Sequence, residues 1–255
     1  MLVNLHFTDT GNGVPVVFLH GFLECSTMWD YLPVDRLPFR AILIDLPGHG
    51  KSRLEDLAEP PSIDFFAEKV KKCLDDLEIS RYHVVGHSMG GYVALSLKES
   101  DTRCKKAVLL NSNFWDDSEE KKRDRIRIAD LAFASKELLI RHAVPGLFTH
   151  QEEFKNEIDA LINEALQMTP EAIAYASLAM RDRSDKKHVV QLHANDFLFI
   201  QGVLDPLVSK ELIEQKLFDL TVSVSLLRKA GHMAHIEEPQ TVFAVLTNFL
   251  GENNR

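Results

Sequence analysis

Residues 84–91, VVGHSMGG, set one serine among three glycines, after an apolar run and before an apolar helix signal. Gly86-His87-Ser88-Met89-Gly90 reads as G-x-S-x-G. In a strand-to-helix turn of that pattern the serine takes unfavourable backbone angles, and a glycine two residues to either side lets neighbouring backbone pass. The Ser88 hydroxyl then projects beyond the sheet. The N–H of Met89 lies at a helix N-terminus, where the dipole favours a developing oxyanion. A serine hydroxyl needs a base to take its proton, and the base needs a carboxylate to orient it. With this kind of turn the acid and the base follow the serine in that order. RKAGHMAHIEEP (228–239) offers His232, directly behind Gly231, and His235, which more naturally opens the next helix. QGVLDPLV (201–208) puts Asp205 just past an apolar run, with Asp116 and Asp117 as fallback acids. The chemistry of such a set is acyl transfer to water: Ser88 attacks a carbonyl, His232 moves the proton and Asp205 fixes the ring tautomer.

Those residues need a scaffold. Apolar runs at 14–19, 40–45, 82–87, 106–111, 196–202 and 222–227 read as strands. Most are continuous rather than alternating, as in strands covered on both faces, so a parallel sheet is expected. Between them, Ile63, Phe66, Val70, Leu74 and Leu77 form one helical stripe with Ser62 as N-cap, and Val93, Ala94 and Leu97 mark a helix behind the glycines. The class is α/β with right-handed crossovers. The alternation stops over 116–187, which reads as helix throughout, with Thr169 capping and Pro170 in a first turn. This divides the chain into a core of 1–115 and 188–255 and an inserted helical cap of 116–187. The run EEKKRDR (119–125) reads as a solvated helix face.

The chain has 255 residues, of which 45% are hydrophobic, enough for one large domain or a domain with an insertion. A formal net charge of −9 argues against nucleic acid or anionic membrane as partners, and nothing in the sequence sets an oligomeric state. The opening MLVNLHFTDTGNG lacks the basic and apolar regions of a signal peptide. No run approaches the roughly 18 apolar residues of a membrane span. Cys25, Cys73 and Cys104 have no metal-like spacing and leave one thiol over, which suits reduced cysteines in the cytoplasm. No metal or cofactor is called for.

FLHGF (18–22), DLPGHGKS (45–52), GHSMGG (86–91), GVLDPLV (202–208) and AGHMAHIEEP (230–239) together make the chain resemble the α/β-hydrolase superfamily, over essentially its whole length. MRDRSD (180–185) is similar to the usual exit from the helical cap. The resemblance implies an eight-stranded, mostly parallel sheet, with a leading strand short or missing because only a few residues precede the first core strand. It implies Ser88, Asp205 and His232 as the triad, and the N–H groups of Phe22 and Met89 as oxyanion donors. His20 is expected to brace its loop. DLPGHGKS lacks the P-loop spacing GxxxxGK[ST] and reads as a structural turn, with Lys51 and Arg53 in solvent.

The reaction so implied is that of a serine hydrolase of the carboxylesterase type (EC 3.1.1), acting on a small carboxylic ester through an acyl-enzyme. Pimeloyl-carrier methyl esterases and aryl or short-chain esterases both fit. Serine at position 88 argues against the haloalkane dehalogenases and epoxide hydrolases, which carry aspartate there, and against the dienelactone hydrolases, which carry cysteine. Trp115, Phe133, Leu147 and Phe148, with Phe22 and Met89, are candidates to line an acyl pocket. HGFLECSTMW (20–29) is also similar to the menaquinone-pathway synthase, a lyase that needs cations such as Arg123, Arg125, Arg127, Arg181 and Arg183. A carbon–carbon bond hydrolase usually has a longer glycine-rich oxyanion loop, and a ligand receptor can keep the same scaffold without turnover.

Overall fold

The computed structural model describes residues 5–54 and 59–251. In chain order the elements are β1 (Phe7–Thr10), β2 (Pro15–Leu19), β3 (Arg40–Ile44), α1 (Ile63–Asp76), β4 (Tyr82–His87), α2 (Met89–Ser100) and β5 (Cys104–Leu110). Four helices follow: α3 (Glu119–Ala143), α4 (Lys155–Ala165), α5 (Pro170–Arg181) and α6 (Lys187–Leu192). The chain then returns through β6 (Phe197–Gly202), α7 (Lys210–Leu217), β7 (Ser223–Leu227), α8 (Ala234–Glu237) and α9 (Pro239–Gly251).

The described strands form one seven-stranded sheet in the order β1-β3-β2-β4-β5-β6-β7. Only β1 runs antiparallel, against β3, and every other pairing is parallel. Among the described residues the leading edge has one strand, where the pattern of eight has two. Its residues, FTDT, carry one apolar side chain among three polar ones and are mostly exposed, so no apolar run announced them.

Alternate side chains of β2 show why the central runs are apolar throughout. Val17 and Leu19 pack with α1 and α2 residues such as Phe66, Val70 and Val93, while Val16 and Phe18 pack on the other face with Trp29, Val242 and Leu246. Burial on both faces leaves no place for a polar position in such a strand. The helix starts follow their caps. Ser62 Oγ accepts the N–H of Phe65 at 3.0 Å before α1, and Thr169 Oγ1 accepts that of Ala172 at 3.2 Å before α5.

The helices between β5 and β6 are tied to the sheet by one buried carboxylate. Asp117, just after β5, meets Arg183 at 2.8 Å and Arg125 of α3 at 3.0 Å. The Arg183 guanidinium also stacks on the Tyr92 ring, 4.1 Å from its centroid, and donates from Nε to the carbonyl of Trp115. The entry and exit of the helical segment are thus pinned together. Among the described residues no helix is long and apolar enough to cross a membrane.

Candidate active site

Ser88 joins β4 to α2 with φ 48° and ψ −115°, angles that side chains other than glycine's adopt only under strain. Its N–H donates to the carbonyl of Leu110 at 3.0 Å, and its carbonyl accepts from Gly91 N–H and from Ser112 Oγ. These bonds hold the turn. The glycines are required by close approach: a Cβ on Gly86 would collide with the backbone of Gly90, and one on Gly90 with the carbonyl of Leu19. Ser88 is half-buried, whereas His87 and Met89 on either side are buried. Met89 opens α2, so its N–H is one of the donors left without an intrahelical partner at a helix start.

His232 follows β7 on the loop before α8. Its Nδ1 lies 2.9 Å from Asp205 Oδ2, in the loop after β6. Asp205 Oδ1 accepts the N–H groups of Leu207 at 2.8 Å and Val208 at 3.1 Å. Oδ2 also accepts from the Asn111 and Gln201 side-chain amides, each at 2.9 Å. Burial alone would push the Asp205 carboxyl up. The His232 ring and these donors outweigh it and hold the group well below the usual carboxylate range. The His232 backbone is anchored too: its N–H donates to Leu147 O at 3.0 Å and its carbonyl meets His87 Nε2 at 2.9 Å.

Ser88 and His232 open onto the same cavity, about 370 Å³. Phe22, Leu23, Leu139, Val144, Leu147 and Met180 give it an apolar wall, and Tyr92 and Asn113 add polar groups. Of the six proposed acyl-pocket residues, Phe22 and Leu147 line the cavity, and Met89, Trp115, Phe133 and Phe148 do not. Phe133 is 60% exposed, one position off the inward stripe of α3. Phe148 is buried against Phe154, with ring centroids 5.7 Å apart, and Trp115 packs on Phe114 at 5.4 Å.

The charged run at the start of α3 is not wholly a solvated face. Lys121, Asp124, Arg125 and Ile128 line the cavity. They fall at i, i+3, i+4 and i+7, one side of a helix, and charge had masked that period.

The other expected residues are readily placed. His20 accepts the N–H of Leu46 on Nε2 at 2.9 Å, which leaves Nδ1 to donate to Gly21 O at 2.8 Å, so it braces its loop. His235 lies in α8, fully buried between Trp29 and His87, and does not line the cavity. Burial and the neighbouring His87 push its ring well below the ordinary histidine value. Asp117 serves Arg125 and Arg183, not a histidine, and Asp116 is exposed. DLPGHGKS is a turn: Asp45 accepts from the Ser26 and Lys51 N–H groups, and Gly48 and Gly50 take φ values of 80° and 53°.

Asn111 was not foreseen. It sits just past β5 in the left-handed region, φ 46°, and its Nδ2 bridges Asp205 Oδ2 and Gly231 O, each at 2.9 Å. An asparagine closing a buried strand tolerates that region, and this was the one signal it offered. Glu24 and His87, paired at 3.0 Å, were also missed.

Comparison with known proteins agrees with this architecture. Residues 16–245 match the model of the alpha/beta hydrolase family. The chain is 27% identical, over 93% of its length, to the dihydrolipoyllysine-residue acetyltransferase component of an acetoin cleaving system from Pseudomonas putida. It is 38% identical, over 44% of its length, to a pimeloyl-[acyl-carrier protein] methyl ester esterase from Nitrosomonas europaea. The matches span 64% and 42% of those two proteins. Among solved structures, a thermophilic esterase from Thermogutta terrifontis with malate bound superposes with a TM-score of 0.88 at 26% identity. That superposition covers 97% of this chain and 93% of the esterase. A family match over residues 16–245, most of its length, makes this chain a member of the alpha/beta hydrolase family.

Proposed function

We propose that the chain is a serine hydrolase that cleaves a small carboxylic ester through a Ser88–His232–Asp205 triad. The observation that carries this reading is a strained, half-buried Ser88 sharing one largely apolar cavity with a histidine whose Nδ1 is held by a fully hydrogen-bonded carboxylate. Nδ1 bound to Asp205 leaves His232 Nε2 as the basic atom. Ser88 Oγ attacks the ester carbonyl as Nε2 takes its proton. Asp205 stabilises the imidazolium, and the N–H groups of Phe22 and Met89 receive the oxyanion, each such donor contributing about 3–4 kcal/mol. Nε2 then gives its proton to the leaving alcohol, and water, activated the same way, releases the acid. Residues 116–187 act as a lid over this cavity, since α3 and α5 supply part of its wall. The three buried, free cysteines suit a reducing cytoplasm.

An ester fits better than the polyanionic substrate of a lyase. Of the five arginines weighed for that role, only Arg125 lines the cavity, and it is paired with Asp117. Arg127, Arg181 and Arg183 pair with Asp124, Asp182 and Asp117, and Arg123 is exposed. The similarity to named esterases points the same way. The test is hydrolysis of p-nitrophenyl acetate and butyrate by the protein and its Ser88→Ala variant. Turnover that disappears in the variant supports the reading; turnover that survives it, or none in the folded protein, removes it.

A further inference from the structure

His87 stands between Gly86 and Ser88 and does not line the cavity, yet both its ring nitrogens face acceptors. Nε2 lies 2.9 Å from the backbone carbonyl of His232, and Nδ1 lies 3.0 Å from Glu24 Oε2. A carbonyl oxygen has no proton to give, so Nε2 must carry one. The same Oε2 accepts the N–H of Gly21 at 2.5 Å, a bond that favours the carboxylate form of Glu24, so Nδ1 carries a proton as well. The ring is then a buried imidazolium paired with a buried carboxylate. Asp205, His20, His232 and His235 are the other titratable groups around the pair. Burial works against both charges, but the partners prevail: His87 is pushed above the ordinary histidine value, and Glu24 is held down to about 2.

The pair joins three parts of the proposed machinery. Through Gly21 it holds the loop that presents the Phe22 N–H. Through the His232 carbonyl it holds the backbone of the proposed base, whose ring is separately held by Asp205. Through the chain itself it abuts Ser88. We infer that the Glu24–His87 pair is a positioning clamp, with His87 an imidazolium, that keeps the oxyanion loop and the base aligned on the serine. The inference rests on the serine-hydrolase reading of Ser88 and His232, and neither clamp residue is assigned contact with the reacting atoms.

Glu24→Gln tests it, because the amide keeps the shape and removes the negative charge that retains the second ring proton. With p-nitrophenyl butyrate, kcat is expected to fall about 10²-fold, the cost of a small misplacement of reacting groups, with KM changed by less than about threefold. In protein carrying 15N-histidine, the signals lost in His87→Asn identify the ring. They should show two protonated nitrogens at about pH 8, persist in Ser88→Ala and collapse to a neutral ring in Glu24→Gln. A neutral His87 ring in the unsubstituted protein, or a Glu24→Gln enzyme within about twofold of its kcat, overturns the clamp. The spectroscopic arm needs no turnover, so it judges the clamp even if Ser88→Ala shows the hydrolase reading to be wrong.

Discussion

Asn111 donates from Nδ2 to Asp205 Oδ2 at 2.9 Å, across 94 residues of sequence, from a backbone in the left-handed region. A hydrogen bond to a buried charge contributes about 1.5–3 kcal/mol, and a left-handed alanine costs about 1–2 kcal/mol. Asn111→Ala should therefore lower the urea-unfolding free energy by about 3 kcal/mol. Asn111→Gly should recover about 1 kcal/mol, since glycine removes only the backbone cost. Equal losses in the two variants would show that the backbone conformation carries no strain there. The folded-state pKa of Asp205 is depressed, so its contribution is present at neutral pH and is lost as pH falls below the carboxylate range. In Asn111→Ala that loss should be smaller and complete at a higher pH, because the folded-state pKa then lies nearer the unfolded value that sets its onset.

Asp117 neutralises two guanidiniums while its own side chain is 1% exposed. Asp117→Asn keeps the shape and strands the charges of Arg125 and Arg183. Breaking a buried pair in this way costs about 3–5 kcal/mol. Burial raises the Asp117 carboxyl, but the Arg183 and Arg125 contacts outweigh it and leave it lowered. By the same sign rule the stabilisation is full at neutral pH and fades in acid. Unfolding free energies of the two proteins should thus converge as pH falls through and below the ordinary carboxylate range; a gap that stays constant would assign the loss to packing instead.

Much of this was legible in the residues. The apolar runs became β2 to β6 because burial on both faces imposes the same requirement at each position, and the run at 222–227 became β7 at the sheet edge, where only Leu227 is buried. Ser62 and Thr169 cap helices because the capping bond is local. Gly86, Ser88 and Gly90 could be read because a tight turn restricts nearby residue types. What stayed hidden depends on contacts between distant segments. Glu24 and His87 are 63 residues apart, and nothing near either one signals the other. β1 is mostly polar and mostly exposed, so no burial pattern marked it. Phe133 is apolar but faces solvent, and Lys121 and Arg125 are charged but face the cavity, so residue type alone misplaced all three.

The inward stripe of α3 should set acyl length. Ile128→Trp adds bulk to the cavity wall without touching Ser88, Asp205 or His232. A lost methylene contact in such a pocket is worth about 1–3 kcal/mol. The kcat/KM ratio of p-nitrophenyl butyrate to acetate should fall about tenfold in that variant. Phe133→Ala, on the exposed side, should leave the ratio unchanged. If Phe133→Ala shifts the ratio and Ile128→Trp does not, the wall of the working pocket is not the one described.

Ser88 provides the sharpest separation of activity from stability. At φ 48° and ψ −115° any side chain is strained, and glycine is not. Ser88→Ala removes the hydroxyl and keeps the strain, whereas Ser88→Gly removes both. Both variants should lose ester turnover and fluorophosphonate labelling by several orders of magnitude. In urea, however, Ser88→Gly should be more stable than Ser88→Ala by about 1 kcal/mol or more, despite the greater chain entropy that glycine carries when unfolded. A glycine variant less stable than the alanine one would mean that the turn is relaxed. The serine would then be held out by its neighbours' packing and not by a backbone under load.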